Sequence, residues 1–522
     1  MSTVATPLRQ VEKERTGISG PMIVGCIAIA FLLLQLLTAN RYGYFGDEMY
    51  HMACGEHLAW GYVDQPPLIA VVAWVTRHLF GSSLFAIHLF PAIAGVVLIW
   101  MTGLITRELG GGRFAQALAA LCVACAGIYL ILFHLFTMNA FEPLLWMGCA
   151  YVVILIIKTG DQKLWLWFGV LAGIGLENKY SMAVFGFALV VGILLTPERK
   201  ALASKWIWMG GLIAFLIFLP NLLWNVQHHW PFLELMRNIK ASGRDTVFTL
   251  LGYLKAQMFL MTPLTLPVWL LGAFYFFFER EGKRFRVLGW AFVILLTLFI
   301  VLHGKDYYAA PVYGVMFAGG AIAIERFSVR RFRWLKPVVV AVILLGTLAL
   351  LPLFAPVLSP EAFIRYQANL PFNVQPDEKS MLAEPMPHYF SDDFGWPEMV
   401  AAVAKVYESL PAQERADTAI FGTNFSNAGA IDLLGGRYGL PKAISGHQSY
   451  WLWGPRNYSG QTVIVVGEVP EAARKWFNEV DVMAELHNPY APPWVNRPVL
   501  LCRGLKAFPT LKDAWPRLKN WD

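Results

Sequence analysis

Charged residues are scarce in this chain of 522 residues: only 15% are Asp, Glu, Lys or Arg, against about 25% in an ordinary soluble protein. Hydrophobic residues make up 57%, with 36 Phe, 20 Trp and 17 Met among the 522. This composition excludes a disordered protein and argues against a soluble enzyme of the same length. It favours one large membrane domain joined to a smaller soluble domain.

Several sequence patterns are also missing. No G-x-G-x-x-G follows a predicted strand, so a nucleotide site has no support. There is no clear internal repeat, and the first apolar run lacks a small-residue cleavage site, so we expect it to be retained as an anchor. Cysteine is also rare, with six residues. Cys54 and Cys502 both fall in parts predicted to be extracytoplasmic, and a disulfide between them stays open.

Long apolar runs predict about 11 transmembrane helices, since about 20 apolar residues are needed to cross a bilayer. The stretch 66–80 is apolar but short, and it is interpreted as a re-entrant or interfacial helix. The predicted spans are 21–38, 84–106, 114–133, 140–157, 164–178, 181–196, 206–224, 250–278, 287–303, 308–325 and 336–355.

The basic residues test this assignment because they are concentrated in every second loop. The pattern predicts a multi-pass protein of the bacterial inner membrane with a cytoplasmic N-terminal arm and a periplasmic C-terminal domain. The net charge of +7 is therefore explained mostly by basic residues that set the membrane topology, and it does not favour nucleic-acid binding. The basic clusters lie at 9–15, 107–113, 158–163, 199–205, 280–286 and 326–336.

The composition changes after about residue 355, where strands begin to alternate with helices. The predicted fold is thus a polytopic, all-α membrane domain followed by a small α/β extracytoplasmic domain. Predicted strands are 418–423, 462–467 and 498–502, and predicted helices are 397–410, 427–434 and 470–477. The predicted division is an N-terminal arm (1–20), a membrane domain (21–355), a linker (356–395) and the α/β domain (396–522).

The first outer loop places ionisable side chains next to the membrane. Such side chains raise the free energy of the protein unless water solvates them, so they often have a functional role. It contains Asp47, Glu48 and Asp64, together with His51. Asp47 and His51 are four residues apart and would share one face of a helix. Asp47 has an equally simple structural interpretation as the N-cap of that helix.

The same loop resembles a known family. Its D-E-x-x-Y, followed by G-Y-x-D-x-P-P, is similar to the first loop of the protein O-mannosyltransferase and aminoarabinose-transferase superfamily of GT-C membrane glycosyltransferases. Weaker matches follow in the expected order at 136–146, 175–181 and 304–311. The resemblance covers roughly residues 20–355 and implies a GT-C membrane fold.

The resemblance also implies an activity, which is inverting transfer of a sugar from a polyprenyl phosphate to an acceptor at the periplasmic face. Asp47 would be the general base and Glu48 would assist it, either by orienting the acceptor or through its like charge. Aminoarabinose transferases have a Lys where this chain has Gln65, which argues against that subgroup. The predicted substrate contacts are Tyr62, Asp64, Gln65, Asn139, Glu142, Lys179, Lys305 and Tyr308.

Several alternatives remain open at this level. Lys179 is equally explained as a snorkelling side chain, and Glu142 as an acid at a helix N-terminus. No cofactor is required, although a divalent metal bound by His51 with Asp47 is an option. The acceptor is a lipid, a glycan or a protein. A transporter and a non-catalytic lipid-binding or envelope-assembly protein are the competing functions.

Overall fold

The computed structural model of the chain describes residues 19–242, 248–330, 332–372 and 384–522. Most of it is helical, and a four-stranded sheet lies near the C-terminal end. The predicted N-terminal arm lies almost entirely outside the described residues, as does 373–383 of the predicted linker.

Sixteen α-helices in the described residues up to 350 form the membrane domain. They pack around a large apolar core. They are α1 Gly20–Thr38, α2 Gly46–Glu56, α3 Leu68–Phe80, α4 Leu84–Glu108, α5 Arg113–Cys125, α6 Gly127–Leu132, α7 Met138–Thr159, α8 Trp165–Asn178, α9 Ser181–Leu194, α10 Lys205–Gln227, α11 Pro231–Ser242, α12 Leu250–Leu260, α13 Leu266–Phe278, α14 Arg286–Val301, α15 Tyr313–Arg330 and α16 Leu335–Leu350.

Fewer helices than predicted are long enough to cross a membrane. Within the described ranges seven helices have the necessary length and composition, or up to nine if each of two bent pairs is one span. The sequence predicted about 11. The difference arises because several predicted spans are short or broken in the structure. The 14-residue α8 is one example, and the 13-residue α3 is short, as expected for 66–80.

The break in predicted span 114–133 has a specific cause. Helix α5 ends at Cys125 and α6 begins at Gly127, with Ala126 extended between them. The Thr262 hydroxyl donates to the Cys125 carbonyl at 2.8 Å and accepts from the Gly127 N–H at 3.0 Å. A side chain from a distant helix end thus replaces hydrogen bonds that a continuous helix would make. Hydropathy alone contains no trace of this contact.

The basic loops meet at one end of the membrane domain. Lys158 pairs with Glu108 at 2.6 Å, and an Arg284 N–H donates to the Lys158 carbonyl at 3.2 Å. Arg326 of α15 pairs at 2.9 Å with Glu279, in the same loop as Arg284. Glu108 ends α4, whereas His88 near the start of α4 contacts Glu48 of α2, so these four basic segments lie at the end opposite α2.

The remaining helices and all four strands belong to the C-terminal part. Strands β1 Ala419–Gly422, β2 Thr462–Val466, β3 Phe477–Ala484 and β4 Val499–Leu505 form one sheet in the order β1-β2-β4-β3. Only β1 and β2 are parallel among these strands. The helices are α17 Pro360–Ala368, α18 His388–Ser391, α19 Trp396–Ser409, α20 Ala412–Ala416, α21 Phe425–Leu434, α22 Gln448–Trp453, α23 Pro470–Ala473 and α24 Leu511–Ala514.

The sheet confirms the predicted small α/β domain and corrects two details. Predicted helix 470–477 ends at Ala473, and β3 follows it as an edge strand that the sequence did not reveal. Most side chains of β3 are exposed, so it lacks the apolar face by which strands are recognised. The predicted linker is also partly ordered, because it contains α17 and α18 with Phe363 and Phe390 buried.

The two thiols considered for a disulfide are separate. Cys54 lies on α2 against the Gln65 amide, and Cys502 lies in β4 opposite Val463 and Val480. Both are free and buried. Each therefore has the packing of a small apolar side chain.

Candidate functional site

Helix α2 carries the predicted acidic pair, and the two carboxylates have opposite environments. The helix begins after Phe45, and its first turn holds Asp47 and Glu48. Consecutive helical residues point about 100° apart, so two neighbours seldom share one environment. Here one carboxylate points toward the core and the other toward the surface.

Glu48 is completely buried and fully hydrogen-bonded. Its Oε1 accepts from the Phe136 N–H at 2.8 Å and lies 3.0 Å from Nε2 of His88, while Oε2 accepts from the Phe45 N–H at 3.2 Å. The last contact is the side-chain half of a capping box, while the Glu48 N–H donates to the Phe45 carbonyl at 3.0 Å. Glu48 therefore ties the start of α2 to the segment before α7 and to α4, and its contacts are those of a positioning residue.

The partner histidine links Glu48 to the end of α1. Nδ1 of His88 lies 3.0 Å from the Ala39 carbonyl, and Nε2 faces Glu48. The imidazole of α4 therefore bridges the residue after α1 and the first turn of α2.

Asp47 is partly exposed at the surface of the site. In the described part of the chain no side chain or backbone N–H donates a hydrogen bond to its carboxylate. Its charge acts on two neighbouring acids, Asp64 and Asp392, and raises the pKa of both. Asp47 is thus an accessible carboxylate with its acceptor oxygens available, which is the state that a general base requires.

Asp64 lies beside α2 and is held by a tyrosine. The Tyr50 hydroxyl donates to Asp64 Oδ1 at 2.8 Å and lies 2.8 Å from Oγ of Ser449. Burial raises the pKa of Asp64, while the Tyr50 hydrogen bond and the nearby His51 oppose that rise. Tyr50 and Ser449 were missed from the sequence, and Ser449 comes from the C-terminal domain, where no motif pointed to it.

His51 is buried on the same helix, with Nδ1 3.1 Å from the Phe136 carbonyl. Because a carbonyl oxygen only accepts, Nδ1 is the donor in that contact. The described residues contain no group of three or more His, Cys, Asp or Glu side chains placed to hold a metal ion. The proposed His51 and Asp47 pair would thus supply at most two protein ligands.

A second polar cluster unites four of the predicted substrate contacts. The Lys179 ammonium donates to Asn139 Oδ1 at 2.7 Å and to Glu142 Oε2 at 3.1 Å. It also lies over the Tyr308 ring, 4.4 Å from the centroid, which is a cation–π contact. These residues are separated by up to 169 positions in sequence, yet they meet where α7, α8 and the segment before α15 converge.

The Lys179 cluster adjoins the first loop through one short segment. His51 and Glu48 contact the backbone of Phe136, and α7 begins two residues later at Met138. Asn139 is the next residue. The segment 136–139 therefore connects α2, through the Phe136 backbone, to the lysine cluster, through Asn139.

Three predicted contacts lie apart from these clusters or are used otherwise. Tyr62 is buried, and its hydroxyl donates within the loop to the carbonyls of Cys54 and His57, each 3.0 Å away. Gln65 is fully buried, and its Oε1 has no partner among the described residues. Lys305 is half-buried at the start of the turn before Tyr308.

The C-terminal domain brings further ionisable groups to α2. Asp392 Oδ2 accepts from the Gly46 N–H at 2.8 Å, and burial raises the pKa of this acid to about 7. Burial lowers the pKa of His388, but the hydrogen bond that its Nδ1 donates to Glu384 and the charges of Asp392, Glu384 and Asp47 outweigh burial and raise this pKa to about 9. The sequence placed all of these residues in a linker because the stretch is rich in Pro and acids.

Together these features define a GT-C fold, in which a polytopic helical domain carries its polar site at one end under a small α/β domain. Residues 64–224 match the family described as dolichyl-phosphate-mannose-protein mannosyltransferase. The lipid A galacturonosyltransferase RgtD of Rhizobium johnstonii is 24% identical over 300 residues, which cover 52% of this chain and 59% of that protein. The similarity therefore spans somewhat more than half of that relative.

Solved structures support the fold over nearly the whole chain. ArnT from Cupriavidus metallidurans, determined with undecaprenyl phosphate bound, is similar with a TM-score of 0.61 and 13% identity, covering 92% of this chain and 97% of that one. The oligosaccharyltransferase AglB from Archaeoglobus fulgidus, in complex with an inhibitory peptide and a dolichol-phosphate, gives 0.51 and 12% over 86% and 69%. The predicted resemblance to the GT-C superfamily is confirmed.

Proposed function

We propose that this protein is a membrane glycosyltransferase that moves a sugar from a polyprenyl phosphate to an acceptor hydroxyl, with inversion at the anomeric carbon. The observation that carries the proposal is a GT-C fold in which α2 presents an accessible carboxylate, Asp47, and also contacts Phe136, two residues before the helix whose first turn holds the Lys179 partner Asn139. Three similarities support it: the matched family is described as dolichyl-phosphate-mannose-protein mannosyltransferase, one relative is named a lipid A galacturonosyltransferase, and one similar structure was solved with undecaprenyl phosphate bound. The site would face the periplasm of a bacterial inner membrane, since the basic loops gather at the opposite end.

The proposed reaction needs one base and one source of positive charge. Asp47 takes the proton of the acceptor hydroxyl as its oxygen attacks the anomeric carbon. The bond from that carbon to the phosphate oxygen breaks, and the polyprenyl phosphate leaves with the bonding electrons. No strong general acid is required, because the phosphate is already a tolerable leaving group.

Lys179 is the proposed phosphate contact, and Lys305, whose carbonyl accepts from the Tyr308 N–H, is the second candidate cation. In the structure Lys179 uses two donors on Asn139 and Glu142, and the Tyr308 face supports the ammonium. Its third N–H is available to a phosphate oxygen. Because Glu142 balances much of the charge of Lys179, Lys305 would supply the remaining cation. Asp64 and Asn139 would then contact sugar or acceptor hydroxyls.

The decisive test compares Asp47→Asn with the wild type. The protein in nanodiscs is given undecaprenyl phosphate carrying galacturonic acid, mannose, glucose or aminoarabinose, with a cell-envelope lipid extract as acceptor, and undecaprenyl phosphate release is measured. We expect the wild type to turn over one donor and Asp47→Asn to lose at least about 100-fold in rate with an unchanged Tm. Full activity of Asp47→Asn would refute the assignment of the base.

Phosphate binding is tested separately by measuring the Kd for undecaprenyl phosphate. Lys179→Met should weaken binding by about tenfold or more. Lys158→Met is the matched control, because that lysine pairs with Glu108 at the opposite end. Equal binding by all three proteins would contradict the proposed phosphate site.

The acceptor and any metal need their own measurements. Mass analysis of envelope lipids and glycans from a strain lacking the gene should reveal one missing sugar and identify its carrier as lipid, glycan or protein. A divalent ion on His51 and Asp47 would make turnover sensitive to EDTA and restorable by Mg²⁺ or Zn²⁺. Retained activity in EDTA would favour charge stabilisation by lysine alone.

A further inference from the structure

A serine of the C-terminal domain reaches into the first-loop site. Ser449 lies in the first turn of α22 and is fully buried. Its Oγ accepts from the Val63 N–H at 3.1 Å and lies 2.8 Å from the Tyr50 oxygen, which is itself 2.8 Å from Asp64 Oδ1. Four groups from three separate stretches of sequence thus form one unbroken chain of hydrogen bonds.

The direction of this chain follows from its donors. A backbone N–H only donates, so the Ser449 oxygen must accept from Val63. Tyr50 has a single hydroxyl proton, and it donates this proton to Asp64 Oδ1. The Ser449 hydroxyl then donates to the Tyr50 oxygen, which also accepts from the Ser449 backbone N–H at 3.4 Å.

We propose that Ser449 is a positioning residue for the proposed transfer, acting through Tyr50 to hold Asp64 oriented and ready to accept a hydrogen bond from a sugar or acceptor hydroxyl. Asp64 keeps part of its surface exposed, so such a contact is sterically open. The inference rests on the proposed function. It assigns the C-terminal domain a part in building the site, beyond covering it.

Charged and titratable neighbours define the background against which Ser449 acts. Burial raises the pKa of Asp64, and the charge of Asp47 adds to the rise. The Tyr50 hydrogen bond and His51 lower it. Removing the Ser449 hydroxyl weakens Tyr50 as a donor, so the pKa of Asp64 should rise further. After burial, the charge of this carboxylate also raises the pKa of Cys54, Tyr62 and Tyr180.

The test is the pH profile of kcat/KM for the donor that the wild type turns over. Protonation of the base Asp47 and of Asp64 both contribute to the acidic limb. With Ser449→Ala we expect the contribution of Asp64 to move up by about half a pH unit, giving about threefold less activity near its midpoint and little change well above it. Tyr50→Phe breaks the same chain from the α2 side and should shift the limb in the same direction. Ser449→Thr keeps a hydroxyl and should restore the wild-type profile.

Ser445→Ala is the matched control, because this buried serine of the same segment binds the His447 N–H and makes no contact with Tyr50. Its profile should stay in place. An unshifted acidic limb in both Ser449→Ala and Tyr50→Phe, with the wild type active, would overturn this inference alone. Absence of donor turnover by the wild type would overturn the proposed function, and this inference with it.

Discussion

Replacing Glu48 by Gln should separate structural support from chemistry at the acidic pair. The sequence assigned both acids to catalysis, but Glu48 is fully buried and accepts three hydrogen bonds. An amide has only one acceptor oxygen. If that oxygen keeps the contacts with Phe136 and His88, the new NH₂ group must face the Phe45 N–H, so two donors oppose each other in a buried position.

The expected cost follows from those contacts. Losing the capping-box bond and burying an unpaired donor costs about 1–3 kcal/mol. Neutralising the partner of His88 turns a charge-assisted bond into an ordinary one and costs about 1 kcal/mol more. Glu48→Gln should therefore lower the free energy of unfolding by about 2–4 kcal/mol, with partial loss of activity because the start of α2 is displaced.

The assay compares Glu48→Gln and Asp47→Asn by thermal unfolding in nanodiscs and by donor turnover on the same samples. Glu48→Gln should show a Tm several degrees below the wild type with residual turnover, and Asp47→Asn a wild-type Tm without turnover. The reasoning would be refuted if Glu48→Gln kept the wild-type Tm and lost all turnover. Glu48 would then act on the substrate directly.

Two further predictions concern the contact between α2 and the C-terminal domain. A Cβ at Gly46 would lie 2.5 Å from Asp392 Oδ2 and 2.6 Å from Ser426 Oγ. Gly46→Ala should therefore loosen this contact, speed proteolysis after residue 384 and reduce turnover. Gly186→Ala is the control and should do neither, because there is open space around Gly186. For His388, whose pKa rises from 6.5 to about 9, the stabilisation is complete below pH 6.5 and is lost as pH rises through 9. His388→Gln should therefore lower Tm most below pH 6.5, and a Tm difference that is constant from pH 6 to 10 would contradict this.

Sequence patterns anticipated the fold and much of the lysine cluster. Resemblance and position at predicted span ends indicated four of the predicted substrate contacts, and the structure brings these together. They are Asn139, Glu142, Lys179 and Tyr308. Their mutual pairing was not predictable, since spacing cannot show that Lys179 meets Glu142. Their role with substrate remains a prediction.

Other features depended on contacts that local sequence does not encode. Glu48 looked like Asp47 in sequence, yet a rotation of one helical position turns it into the core. Thr262 interrupts a predicted span from more than 130 residues away in sequence. His388 and Asp392 lie in a stretch whose composition predicted a linker, so the sequence did not indicate that they lie against α2.

Close backbone contact between the first loop and the C-terminal domain has a consequence for how such chains diversify. A Cβ at Gly43 would overlap the Asp393 carbonyl oxygen, and one at Gly429 would lie 3.0 Å from the Tyr50 nitrogen. Surfaces that meet through backbone atoms cannot adapt by changing side-chain rotamers. A chimaera that joins this membrane domain to a homologous C-terminal domain should therefore work only if both partners keep these glycines. The two domains would then be inherited as a unit, and new acceptor preferences would arise in loops outside the contact between the first loop and the C-terminal domain.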